Sequence, residues 1–296
     1  MPDRLAADGM KDEGVSMRIA VLQTNSRDNK AENIAVALEL IERAAAAGAD
    51  LAVLPEAVDY LGEHGQAQAE PIPGPTSEAF AAKAREHRIW LLAGSIHEAG
   101  GDPSGRAYNT SLLFNRQGEL VATYRKLHLY DVELTGNVSV KESDQIAPGD
   151  EIVTADIEGH RAGLAICYDL RFPELFRLHA LEGAELLLLP AAFTLFTGKD
   201  HWEVLLRARA IENQCFVAAA GQTGKYPGGQ SYGRSMIVDP WGTVLATAPD
   251  GVGMAVADID FDRLRRVRAQ LPSLANRRPD VYHLGRAAVP AVSAAD

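Results

Sequence analysis

Cysteine is scarce: the 296 residues hold two, Cys167 and Cys215, in no CxxC or zinc-type pattern. That argues against a disulfide scaffold and fits a reducing cytoplasm. Runs of Lys or Arg are missing too, and 29 basic against 40 acidic residues give a net charge of −11. Neither nucleic acid nor an anionic membrane surface is therefore expected as a partner. No apolar stretch approaches the roughly 20 residues that span a bilayer. Residues 1–16 are charged, contain Gly and Ala and lack an apolar core, so they do not read as a secretory signal. They are expected to be a disordered leader, with Met17 an alternative start, and 285–296 to be a loose tail.

What is present is a core: 47% of residues are hydrophobic, ample for one large domain or two small ones. "MRIAVLQTN" reads as a buried strand, "KAENIAVALELIERAAAAGAD" as a helix ending near Gly48, and "LAVLPE" as a second strand. A helix over "SEAFAAKAREHRI", a strand over "WLLAGSI" and a hairpin over "SLLFNRQGELVATY" follow. The second half repeats the order. "RAGLAIC" is a strand, "PELFRLHALEGAE" a helix, "LLLLPA" a strand, "HWEVLLRARAIEN" a helix, "CFVAAAG" a strand and "SMIVDPWGTVLAT" a hairpin. "DLAVLPEA" from Asp50 echoes "ELLLLPAA" from Glu185, and "SLLFNRQGELVAT" echoes "SMIVDPWGTVLAT". Alternating strands and helices make mostly parallel sheets with helices on a face. Two equivalent halves suggest two sheets face to face, an α-β-β-α sandwich in one domain. Val204, Leu205, Ala208 and Ile211 form a helical stripe expected to lie against a sheet.

In open parallel sheets, ligands gather at the carboxyl ends of strands. Glu56 closes "LAVLPE", Cys167 closes "RAGLAIC" and Lys126 follows "LVATYR". The halves differ there: Ala191 stands where the first has Glu56, and Thr24 where the second has Cys167. Each residue has a plain reading: a buried thiol, a solvated acid, a surface charge. His128 would share a strand face with Lys126 if that strand continued, and a papain-like base there is an alternative. Together the first three make a mechanism. A thiolate is the nucleophile, and a free thiol titrates near 8.5. A carboxylate beside it can take the proton, and a lysine beside both can lower the thiol's pKa and stabilise an oxyanion.

"LAVLPE", "YRKLHLYD" and "GLAICYDLRFPE" resemble the three signature segments of the nitrilase superfamily of carbon–nitrogen hydrolases, in the right order, and the likeness runs from about Met17 to Tyr282. The resemblance implies a carbon–nitrogen hydrolase domain over 17–284, a four-layer α-β-β-α sandwich of two mixed sheets. It also implies a Cys acyl-enzyme with no metal or organic cofactor. On this likeness Glu56 is the general base, Lys126 the oxyanion stabiliser and Cys167 the nucleophile. Glu142 in "VKESDQIAPGD" is a second glutamate orienting Lys126. The backbone N–H of Tyr168 completes the oxyanion hole, and Asp169 holds the nucleophile turn. Cys215 stays a core thiol.

The flanking segments "FTLFTGKDHWEVLLRARAIENQCFVAAAGQTG" and "SYGRSMIVDPWGTV" are most similar to the branch holding deaminated-glutathione amidase and ω-amidase. That implies hydrolysis of deaminated glutathione or another ω-amide of a small carboxylic acid, with ammonia released. N-carbamoyl amino acid hydrolysis and nitrile hydrolysis stand as alternatives in the same family. A non-catalytic binding module and a thiol redox protein are readings from other classes. Carboxylate substrates need local cations on a protein of this charge; candidates are Lys199, Arg234 and Arg171, the last weighed against a helix-anchoring pair with Glu174. A homodimer or higher homo-oligomer is expected from the same likeness.

Overall fold

The computed structural model describes residues 16–134 and 138–286; the leader over 1–15 and the tail from 287 lie outside the described residues. The first half runs β1 Ser16–Gln23, α1 Lys30–Ala46, β2 Leu51–Val53, α2 Pro75–His87, β3 Trp90–Leu92, β4 Ile96–Glu98, β5 Ala107–Phe114 and β6 Leu120–Arg125. Shorter strands follow: β7 Asp131–Leu134, β8 Val138–Lys141 and β9 Ile146–Ala147. The second half runs β10 Thr154–Ile157, β11 His160–Leu164, α3 Pro173–Leu181, β12 Leu186–Ala191, α4 Leu195–Asn213 and β13 Phe216–Gly221. It closes with β14 Thr223–Tyr226, β15 Gly229–Tyr232, β16 Met236–Val238, β17 Val244–Thr247, β18 Gly253–Asp260 and α5 Phe261–Gln270.

One sheet has the order β18-β1-β2-β3-β5-β4, with β6 and β9 also on β5; the other has β10-β11-β12-β13-β16-β17. In each, three consecutive strands are parallel and an antiparallel strand covers the edge: β18 on β1, β10 on β11. Period-two alternation builds the layers. Ile19 and Val21 of β1 face the second sheet and join Leu164, Leu186, Leu188 and Ala218 in one core. Ala20 and Leu22, between and beyond them, face Ala37, Leu40, Ile41 and Ala44 of α1 and Phe80 of α2. The order is helix, sheet, sheet, helix, the expected four-layer sandwich with two mixed sheets.

Asn29 starts α1 by accepting the Glu32 N–H at 3.2 Å. The α1 residues Asn33, Ala37, Leu40, Ile41 and Ala44 then repeat on one buried face. Fully burying Leu40 or Ile41 stabilises the fold by about 1.5–3 kcal/mol each.

Helix α4 departs from the sequence reading. Val204 and Ile211 are 66% and 48% exposed, and Trp202, Leu206, Arg209, Ala210 and Asn213 turn inward instead. The Trp202 ring packs on Phe193, and its Nε1 donates to the Arg234 carbonyl at 2.8 Å. Arg209 is buried because its guanidinium donates to the Leu170 carbonyl at 3.0 and 2.7 Å and to Glu212 at 2.9 Å. A count of apolar residues misses a satisfied arginine. The end segments differ slightly too: Ser16 already pairs in β1, opposite Asp260, and Arg286 donates to both Glu182 oxygens at 2.7 Å.

Candidate active site

Glu56 lies just past β2, where the chain leaves the sheet and Ala57 turns through φ +51°. Gly94 makes that exit possible: at φ +61°, it lies so close that a Cβ there would sit 1.9 Å from the Pro55 carbonyl oxygen. Glu56 Oε1 accepts from Lys126 Nζ and from Asn109 Nδ2, both at 2.8 Å, and Oε2 accepts from the Ala192 N–H at 2.7 Å. The Cys167 thiol lines the same cavity as this carboxylate. Lys126, 2% exposed, donates to Glu142 Oε2 at 2.8 Å and Oε1 at 3.1 Å. Glu142 is fixed in turn by the Tyr130 N–H at 2.7 Å and by Asn109 Nδ2 at 3.2 Å.

Cys167 opens a short 3₁₀ turn, Cys167–Arg171, at φ +46°. A side chain in that left-handed region costs roughly 1–2 kcal/mol. Asp169, fully buried, holds the turn. Its Oδ2 accepts from the Ile166 N–H and the Tyr124 hydroxyl, both at 2.7 Å. Its Oδ1 takes the His128 N–H at 3.1 Å and contacts His128 Nδ1 at 2.7 Å. These groups border a cavity of about 350 Å³, whose walls include Tyr130, Arg171, Phe193, Thr194 and Tyr226.

The charges have a definite order. Burial pushes the Glu56 carboxyl up, yet Lys126 and the hydrogen bonds it accepts outweigh that, and its pKa falls below 4.5. Burial favours a neutral Lys126, but Glu142 and Glu56 hold its pKa well above 10.5. Burial and the negative Glu56 raise the Cys167 thiol well above 9, against the pull of Lys126. Lys126 does pull the thiol's pKa down, as expected, but burial and the ionised carboxylate outweigh it, and the thiol keeps its proton.

Glu56, Lys126, Glu142, Cys167, Tyr168 and Arg171 all line this cavity. Lys199 and Arg234 do not. Lys199 stands 57% exposed on α4 with Asp200 at 3.9 Å, since its position falls on the outer face of the helix. Arg234 pairs with Asp250 at 3.2 Å beside a separate depression lined by Asn25, Thr223 and Gln230. Among the described residues Arg171 forms no ion pair with Glu174. The Arg171 guanidinium instead lies 5.0 Å over the Phe193 ring, and Nη1 contacts His201 Nδ1 at 3.3 Å. His128 does not continue a strand with Lys126: β6 ends at Arg125, and His128 stacks on Phe172 at 3.7 Å and belongs to Asp169. The sequence reading missed Asn109. Its one signal was an amide inside the otherwise strand-like "AYNTSLLF".

A thiol, a carboxylate and an ammonium gathered where two packed sheets end, on a four-layer α-β-β-α frame, define the class: a carbon–nitrogen hydrolase. Residues 18–269 match the family described as "Carbon-nitrogen hydrolase". The chain is 45% identical over 271 residues to the deaminated glutathione amidase of Bos taurus, covering 89% of this chain and 83% of that protein. It is 38% identical over 270 residues to an omega-amidase of Homo sapiens, covering 90% and 97%. The crystal structure of the C. elegans NitFhit protein superposes with a TM-score of 0.85 at 42% identity, covering 92% of this chain and 67% of that one. The chain belongs to the carbon–nitrogen hydrolase family, in the nitrilase superfamily, and is an amidase.

Proposed function

We propose that Cys167 is the nucleophile, Glu56 the proton shuttle, and Lys126 with the Tyr168 N–H the oxyanion donors of an amidase whose substrate is deaminated glutathione. The observation that carries this reading is the Glu56 carboxylate, which accepts from Lys126 at 2.8 Å and lines one cavity with Lys126 and the Cys167 thiol. At neutral pH the resting site holds a thiol, a carboxylate and an ammonium. Glu56 takes the thiol proton as Sγ attacks the scissile carbonyl, so the thiolate exists only as it reacts. Lys126 has three N–H donors; Glu56 and Glu142 occupy two directions, and the third is left for the oxyanion. The Tyr168 N–H belongs to the first turn of the 3₁₀ segment, where amides lack partners inside the turn. Collapse breaks the C–N bond, and Glu56 returns its proton to the leaving amine. Water, deprotonated by Glu56, then hydrolyses the thioester; the acid leaves and Cys167 regains its proton. No cofactor enters this cycle.

For the substrate, Arg171 is the carboxylate anchor, its guanidinium 5.0 Å over the Phe193 ring. Such a local cation offsets the −11 net charge. The higher identity to the deaminated glutathione amidase than to the omega-amidase supports the choice between the two. In deaminated glutathione the scissile nitrogen carries cysteinylglycine. Its leaving group is an amine, so the expectation of ammonia release holds only for primary amides. The same reading includes a cytoplasmic setting and a homo-oligomer. Val204, Ile211 and Trp241, exposed on and beside the outer face of α4, support self-association; no helix among the described residues is long and apolar enough to cross a membrane.

The test is kcat/KM, read as acid product, across deaminated glutathione, α-ketoglutaramate, an N-carbamoyl amino acid and a nitrile. Deaminated glutathione is expected to lead. An N-carbamoyl amino acid or a nitrile running tenfold above both keto-acid amides would overturn the substrate and leave the thiol chemistry standing.

A further inference from the structure

His97 lines the same cavity as Cys167 and is used by no step above. It stands in β4 directly opposite Asn109 of β5. Directly opposed residues put their side chains on one face of a sheet. His97 therefore faces the side on which Asn109 holds Glu56 and Glu142.

The ring is anchored at one end only. Nδ1 contacts both oxygens of Asp59, at 3.1 and 3.2 Å, and Asp59 Oδ2 also accepts the His97 backbone N–H at 3.2 Å. Asp59 is fully buried, with Lys30 Nζ 3.9 Å away. A buried carboxylate on Nδ1 fixes the tautomer and aims the opposite nitrogen. Nε2 has no partner among the described residues.

Gly65 lies in front of Nε2 and also lines the cavity. A Cβ at residue 65 would come within 2.5 Å of Nε2. The Gly65 backbone is not in the left-handed region, so a side chain is excluded there by space alone. The missing Cβ keeps the approach to Nε2 open. Burial disfavours the imidazolium, but Asp59 more than offsets it and His97 titrates above its ordinary value.

We propose that His97 Nε2 is a second anchoring point, which holds the carboxylate of the leaving-amine portion of the substrate while Arg171 holds the acyl portion. This rests on the substrate reading above. The side of the cavity follows from the proton path. Glu56 protonates the leaving nitrogen, so the amine departs along the wall built by Glu56, Asn109 and Glu142, and that is the wall His97 shares. Arg171 belongs instead to the nucleophile turn of the second half, over Phe193, whereas His97 and Asn109 belong to the first half. His97 is thus a specificity-determining residue, and Asp59 positions it. Substrates whose leaving group is ammonia have nothing for it to hold.

The test compares deaminated glutathione with α-ketoglutaramate, which shares the acyl part and leaves ammonia. Two variants probe one contact in different ways. His97→Gln keeps a donor for Asp59 and removes the imidazole; Gly65→Ala keeps the imidazole and Asp59 in the chain and puts a methyl group against Nε2, so that the ring must give way or lose its approach. In both, the ratio of kcat/KM for deaminated glutathione to that for α-ketoglutaramate is expected to fall about tenfold, through KM for the larger substrate. A ratio that falls less than threefold in both variants overturns the inference, as does a parallel loss on the two substrates. A wild-type enzyme that turns over α-ketoglutaramate and not deaminated glutathione sinks the substrate reading itself, and the inference with it.

Discussion

The two halves share one strand plan and diverge where the chemistry sits. In the second half, β12 runs on through Pro190 and Ala191, with Ala191 pairing Gly221. In the first, the equivalent strand β2 stops at Val53, and the next residues carry Glu56 out of the ladder. Ala192, one step past the counterpart of Glu56, gives its backbone N–H to the Glu56 carboxylate at 2.7 Å. Gln222 of the second half donates to the Glu56 carbonyl at 2.9 Å and accepts from Thr24, the counterpart of Cys167, at 3.0 Å. The first half thus supplies the acids, the ammonium and Asn109. The second supplies the thiol and the groups that hold the acid in place. A repeated fold gives two similar strand ends facing each other, and a site arises when they stop being alike.

The most severe way to break this arrangement is Cys167→Ala. Turnover is expected to fall by at least about 10⁴-fold, with stability moving by no more than about 1–3 kcal/mol. Acid release and thermal unfolding measured together check both. Glu56→Gln and Lys126→Met remove the first half's contribution and leave the thiol. Gln keeps the shape and cannot take a proton; Met keeps the stem and cannot meet an oxyanion. Losses of about 10²–10⁴ and 10²–10³ in kcat are expected. A Lys126→Met enzyme within a few-fold of wild type would remove that side chain from the oxyanion site.

The pH profile sharpens the comparison without a mutation. As the proposed proton shuttle Glu56 must be ionised to act, and its pKa is held below the ordinary 4.5. Activity should persist as pH falls to that value and drop only below it. Lys126, held well above 10.5, should keep its charge throughout the neutral and alkaline range. An acid limb above pH 5 in kcat/KM, with the protein folded by circular dichroism, would contradict the assigned charges. The smallest effect is expected from His128→Ala, which breaks a contact with Asp169 and removes no reacting group. Activity should stay within about tenfold, and stability should fall by about 1–3 kcal/mol.

Much of this was legible in the chain. The echo of "LAVLPE" in "LLLLPA" announced the double layer, and strand ends carrying Glu56, Lys126 and Cys167 announced the site. What stayed hidden depends on distance in sequence. Strand β18 pairs with β1 across more than 200 residues, and a single strand pattern names no partner. Asn109 earns its place only when β5 brings it between two glutamates from different loops. Lys199 and Arg234 were misplaced because position near a strand end does not fix direction: one faces solvent from α4, the other an exposed aspartate. The inward face of α4 was misread because Arg209 is buried by the Leu170 carbonyl, which sequence periodicity does not report.

The central claim is that one half's carboxylate and ammonium drive the other half's thiol onto the substrate. Rapid acid quench with intact-mass and peptide mapping tests it most directly. Wild-type enzyme mixed with deaminated glutathione should carry the keto-acyl group on Cys167 and none on Cys215, and the adduct should form at least about 10² more slowly in Glu56→Gln. Steady turnover with no adduct on Cys167, or an adduct forming at the wild-type rate in Glu56→Gln, would contradict it.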